Sequence, residues 1–293
     1  MSTISAFTRP LSNLLPRRFR APRTVVPVIR LAGVVGFSTP LRPGLTLSSV
    51  AHSLERAFSV RDAQAVALLI NSPGGSAVQS HLIYTRIRAL ADEKKLPVIA
   101  VAEDVAASGG YMIACAADTI VADASSVIGS IGVVGGSFGF HGLLEKIGVE
   151  RRLYTSGERK AMLDPFLPER PEDVERLKGI QREIHESFIS LVQSRRGGKL
   201  AGDEAALFSG EYWTGARAKG LGLIDEIGDL RGVLRARFGD KVETPLVVER
   251  GWFSRRPGGI SNGRMSLGLS QSGLAEEALS ALEARAIWAR YGL

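Results

Sequence analysis

The stretch "VAASGGYMIACAAD" (105–118) sets a serine, Ser108, between two alanines and two glycines at the start of an apolar run. Small residues on both sides allow a sharp backbone turn and close approach by another group. Such a serine can cap a helix or act as a nucleophile, and the pattern by itself leaves both readings open. A nucleophile there would gain from the positive end of the following helix, and the Gly109 N–H would be a donor to a developing oxyanion. A second stretch, "NSPGGS" (71–76), uses Pro73 to set a turn and Gly74-Gly75 to present backbone N–H groups with no side chain in the way. It reads equally as an oxyanion site or as a plain strand-to-helix turn. A third, "VIGSIGVVGG" (127–136), places Ser130 among glycines and β-branched residues, as a turn residue or a supporting hydroxyl. Each of the three follows an expected buried strand, where α/β proteins build their sites.

A serine nucleophile needs a base. Of the four histidines, His52, His81 and His185 fall on expected helices among polar neighbours and read as surface residues. His141 follows "GGSFGF" and is the one histidine on a glycine-rich segment. A serine with no suitable histidine leaves lysine as the partner. The single cysteine, Cys115, excludes an intramolecular disulfide, points to a reducing compartment, and reads as a small core residue.

The elements that must hold these residues alternate along the chain. "TVVPVIRL" (24–31), "QAVALLIN" (64–71), "PVIAVAE" (97–103) and "DTIVAD" (118–123) read as strands, the middle two as continuous apolar runs of the buried parallel kind. Residues 46–58 carry apolar positions at helical spacing, 76–95 open on a serine, a helix follows from about 108, and 171–197 form a long helix with proline near its start. Residues 212–228 read as a short helix and a strand-turn. Alternation of this kind predicts α/β layers on a largely parallel sheet.

With 293 residues, 45% hydrophobic and 23% charged, the chain is long enough for one sizeable core. No apolar run approaches the roughly 18 residues of a membrane-spanning helix. The net charge of +7 is uneven: residues 1–23 hold Arg9, Arg17, Arg18, Arg20 and Arg23 and no acid. This predicts a disordered basic arm suited to an anionic membrane surface, and the lack of interleaved aromatics argues against nucleic acid. Residues 241–274, rich in glycine and serine, read as a linker. Residues 275–293 read as an amphipathic helix with Leu279, Leu282, Ala286, Ala289 and Leu293 on one stripe.

"INSPGG", "ASGGYMIACAAD", "SVIGSIGV", "LLEKIGVERRLYTSGERKAMLDPF" and "FSGEYWTGARAKGLGLIDEIG", in this order and spacing over about residues 24–240, resemble the SppA/SohB-type signal peptide peptidase family. The resemblance implies a single catalytic domain of the ClpP/crotonase-type spiral, built of repeated ββα units, with no cofactor and no metal. It implies a serine–lysine dyad, with Ser108 as nucleophile, Lys160 as base, Ser130 as support for the lysine, and an oxyanion hole from Gly74, Gly75 and Gly109. It also implies peptide substrates, signal-peptide remnants or apolar membrane-protein fragments, and a homo-oligomeric ring in which neighbours can share the dyad. The expected location is cytoplasmic, peripheral at the inner face of the membrane.

Two features depart from the family pattern. The family's N-terminal membrane helix is not found, and "AMLDPF" follows the lysine where many members carry a small-residue pair. An acid four residues on, Asp164, would stabilise the ammonium form if it sat beside Lys160. The rival readings are a crotonase-type acyl-CoA enzyme, which shares the fold and oxyanion hole, and a non-catalytic ring scaffold.

Overall fold

The computed structural model describes residues 24–36, 44–248, 282 and 285–292. The expected arm 1–23 and the Gly/Ser-rich stretch 249–274 lie outside the described residues. The body is an α/β fold on a seven-stranded sheet, as the alternating pattern predicts. Strands β1 (Val28–Ala32), β2 (Val66–Ser72), β3 (Val98–Ala107) and β4 (Thr119–Ala122) pair in that order, all parallel. Helix α1 (Leu47–Phe58) crosses between β1 and β2, α2 (Ala77–Lys94) between β2 and β3, and the short α3 (Gly109–Ala114) between β3 and β4.

Local chemistry starts these helices where the sequence says it should. Thr46 accepts from the Ser49 amide while Ser49 bonds back to Thr46, a reciprocal capping box. Ser76 accepts from the Gln79 amide at the head of α2.

The third strand determines the architecture. Its first half, Ile99–Ala102, pairs with β4, and its last three residues pair with β5 (Val127–Gly129). The sequence reads 127–129 as part of a turn; it is a short strand that continues antiparallel onto β6 (Tyr212–Thr214). β3 therefore carries Ser108 at its end, alongside the 127–130 turn. Sequence reading also misses α4 (His141–Ile147) and α8 (Leu230–Phe238). The sheet closes through β7 (Glu226–Ile227) beside β4, after the short helices α6 (Glu204–Leu207) and α7 (Gly215–Gly220).

One sheet face packs on α1, α2 and α3 through Leu54, Ile83, Ile87, Leu68, Ile70 and Tyr111. The other is covered by α8, whose Val233 and Leu234 meet Val28, Ile99 and Val121. Residues 242–247, expected in a linker, run along β1 instead: Val28 donates to Pro245 O at 2.9 Å and Val247 to Val28 O at 2.8 Å.

The long helix α5 (Pro171–Arg196) docks by its last turn. Arg195 donates to the carbonyls of Cys115 at 2.9 Å and Ala117 at 3.0 Å. Arg196, 3% exposed, donates to Asp225 at 2.8 Å and to the Gly222 carbonyl. Asp225 also accepts from Lys199 at 2.7 Å and from the Ile120 amide at 2.8 Å, which ties helix, sheet and the β7 turn together.

Candidate active site

Ser108 sits where β3 ends and α3 begins. Its backbone has φ 51° and ψ −121°, a left-handed conformation that costs an L-residue about 1–3 kcal/mol. Packing holds it there. All six residues of α3 are buried, the Ser108 N–H donates to Gly129 O at 2.8 Å, and its carbonyl accepts from Met112 at 2.9 Å. The side chain makes no capping bond to the helix, so of the two readings open in the sequence the cap is excluded.

The Gly74–Gly75 turn lies directly against this strained residue. A Cβ on Gly74 would fall 2.7 Å from both the Gly109 nitrogen and the Ser108 Cβ. Gly75 presses on Val35, where a Cβ would meet the carbonyl oxygen at 2.2 Å. Val35 donates to Gly74 O and accepts from Ser76, both at 2.8 Å, and neither bond uses the Gly75 N–H. The Gly74 N–H donates to Ser72 Oγ at 3.2 Å. Gly109 heads α3, where the first amides have no acceptor within the helix. The amides of Gly75 and Gly109 are thus the better-placed pair for an oxyanion beside Ser108.

Ser130 also has positive φ, 53°, and its N–H donates to Glu211 O at 2.6 Å. Ser108 and Ser130 open on one cavity of about 460 Å³, whose floor and walls include Gly75, Gly109 and the apolar side chains of Met112, Val133, Ile184 and Phe188. The geometry brings together the serine, the glycine turn and the second serine.

Among the described residues it does not bring in a base. Lys160 is exposed, on a turn where its N–H donates to Gly157 O at 3.2 Å, and it is not among the residues lining the cavity. Asp164 does not face Lys160: Arg151 donates to it at 2.7 Å and the Phe166 amide at 2.9 Å. The bond from Arg151, then that from the Phe166 amide, hold its carboxyl below the usual range.

His141 is half-buried on α4, its ring 3.3 Å from the Glu145 carboxylate. His185 corrects its reading as a surface residue. It is half-buried, with Nε2 3.1 Å from the Ile131 carbonyl, and tethers the cavity wall rather than lining it. Burial pushes the Cys115 thiol up to about 12, consistent with an inert core residue.

Sequence reasoning misses a further set at the cavity. The described part of the last helix, 285–289, and the turn after it bring Ile287, Arg290 and Tyr291 onto its lining. The packed residues are Ile287, Trp288 and Tyr291, whereas Ala286 and Ala289 of the expected stripe are exposed, as is Leu282. Leu279 and Leu293 lie outside the described residues. No local signal marks the contact, because its partners are 161 and 218 residues away in sequence.

Comparison with known proteins bears on this arrangement. Residues 90–239 match the model of peptidase family S49. A protein of Arabidopsis thaliana named "Serine protease SPPA, chloroplastic" is 35% identical over 76% of this chain and 33% of its own length. A protein of Methanocaldococcus jannaschii named "Putative protease MJ0651" is 33% identical over 68% of this chain and 62% of its own. A Brucella abortus protein named "Na(+)/H(+) antiporter NhaA" is 55% identical over 97% of this chain. This chain spans only 39% of that relative's length, and the aligned part takes in the whole S49 segment. Among the described residues no helix is long and apolar enough to cross a membrane. The chain belongs to peptidase family S49, and its α/β body has the ClpP-like fold of that family.

Proposed function

We propose that this S49-family chain is a serine endopeptidase with a Ser108–Lys160 dyad whose two members come from neighbouring copies of the chain. The observation that carries the reading is the strained, uncapped Ser108 beside the amides of Gly75 and Gly109. In the proposed reaction Ser108 Oγ attacks a peptide carbonyl as neutral Lys160 Nζ takes its proton. The tetrahedral oxyanion accepts hydrogen bonds from Gly75 and Gly109. Collapse breaks the C–N bond, and the lysine proton passes to the leaving amine. Water then attacks the acyl-serine with the lysine again as base, and the acid is released as the serine regains its proton. Ser130 Oγ supports the lysine, and the apolar cavity favours extended apolar peptides such as signal-peptide remnants.

Sharing of the dyad is supported by the surface that carries Lys160. Helix α4 has no buried residue, and Phe138, Ile147 and Tyr154 are 80%, 60% and 90% exposed. So much apolar surface on one segment suits burial against a second copy in a ring. The arginines of residues 1–23 suit contact with an anionic membrane at its cytoplasmic face, each contributing about 1 kcal/mol near such a surface.

The test is complementation. Ser108→Ala and Lys160→Ala chains are each inactive on an apolar peptide. Unfolded together and reassembled, they regain activity at about one site in four, the share that random pairing of neighbours predicts. A mixture that stays inactive while its ring reforms rules out sharing, and activity in Ser108→Ala alone rules out the nucleophile.

A further inference from the structure

The cavity over Ser108 is not lined by the catalytic body alone. Ile287, Arg290 and Tyr291 form part of its lining, and Tyr291 bridges its two walls. The Tyr291 hydroxyl lies 3.2 Å from Ser130 Oγ on one wall and 3.4 Å from the Pro73 carbonyl, next to the glycine turn, on the other. The bridge is clasped from β6. The Tyr212 ring meets the Tyr291 ring edge-on at 5.1 Å, and the Tyr212 hydroxyl donates to the Arg290 carbonyl at 3.1 Å. The face turned inward is Ile287, Trp288 and Tyr291, all half-buried; Arg290 and Gly292 are exposed.

An extended peptide reaching Ser108 would run between these walls, pairing its backbone with the exposed edges. The groups it would meet are those Tyr291 now occupies. We propose that the 285–292 turn is a built-in plug of the Ser108 cavity, which a peptide substrate must displace. The proposal rests on the reading of Ser108 as nucleophile. The plug lowers the fraction of competent sites and so scales down apparent affinity for any ligand of the cavity. Because the turn is held by a few hydroxyl contacts and one aromatic pair, the closure is shallow and reversible.

Full-length chains carrying Tyr291→Phe or Tyr291→Ala are compared with the unchanged chain for the rate at which a fluorophosphonate labels Ser108, with Ser108→Ala as control. Loss of a few weak contacts predicts labelling about two- to tenfold faster in Tyr291→Ala, with Tyr291→Phe in between. The variant Ile287→Cys gives a second reading. Cys115 is buried, so a maleimide reports on position 287. Its alkylation should speed up once a peptidyl phosphonate occupies Ser108. Equal or slower labelling of Ser108 in Tyr291→Ala, or unchanged alkylation at 287, overturns the plug and leaves the nucleophile standing. Absence of label on Ser108 in every chain overturns both.

Discussion

The segment that ends in Ser108 and the segment that bears Lys160 are built on opposite plans. Around Ser108 nearly every neighbour is buried: Val105, Ala106 and Ala107 at the end of β3 are inside, and so is all of α3. Between Val133 and Arg170 the apolar residues largely face outward, and α4 buries none of its seven. What order this segment has comes from pairs within it, Arg151 with Asp164 and with the Phe166 ring at 5.0 Å, and Phe140 stacked on Phe166. A nucleophile needs a rigid seat, and the body supplies it in one chain. The proposed base sits on a segment whose own surface is unfinished.

The sharpest way to break this contrast is to remove the chemistry from each side. Lys160→Ala should lower kcat/KM as far as Ser108→Ala does, about a thousandfold or more, with the circular dichroism spectrum unchanged. A lysine base works only when neutral, so activity of the unchanged enzyme should rise with pH to an alkaline plateau; a fall above pH 7 counts against it. Loss of activity in His141→Ala with retention in Lys160→Ala would reverse the assignment.

The body is probed next through its buried ion cluster. Asp225→Asn strands Arg196 and should cost about 3–5 kcal/mol, read as a lower Tm. Burial raises the Asp225 carboxyl, but the bonds from Arg196, Lys199 and the Ile120 amide outweigh it, and the net shift is downward. A lowered native value means the stabilisation is full above the unfolded carboxyl range near 3.9. It is lost as pH falls through the native value, where the two proteins should converge in Tm. A gap that persists in acid would mean the cluster does not act through its charge.

The outer segment is probed by placing charge on its apolar face. Phe138→Asp with Ile147→Asp should shrink the assembly in sedimentation and reduce activity with it, since each buried apolar side chain is worth about 1.5–3 kcal/mol. Tm of the body should hardly move. An unchanged assembly would mean this face is not an interface. The smallest effect is expected from Asp164→Asn. It frees Arg151 but, with Asp164 turned away from Lys160, should leave the rising pH limb where it is.

Much of the body is legible in the sequence because its signals are local. Continuous apolar runs mark β2 and β3, and Thr46 and Ser76 mark helix starts to within a residue. β5 escapes because three residues, one of them glycine, carry too little pattern to separate a strand from a turn. α8 has a signal that goes unread: Asp229 caps it and Leu230, Val233 and Leu234 fall at helical spacing. At the site, Ser108, Gly75 and Ser130 can be placed together because each follows a strand of one sheet. The position of Lys160 cannot, since it stands on a turn after Gly157 that follows no strand of the sheet. Tyr291 cannot either, because a contact spanning 161 residues leaves no trace in nearby spacing.

The left-handed backbone at Ser108 has a consequence for how this position can change. The conformation is one that glycine adopts freely and every other residue adopts at a cost. Ser108→Ala keeps that cost while discarding the hydroxyl, whereas Ser108→Gly discards both. The glycine variant should be dead yet unfold later than the alanine variant, by about 1 kcal/mol in a urea titration. Selection for folding alone would drift toward glycine here; on the proposed reading it is turnover that keeps the serine in its uncomfortable seat.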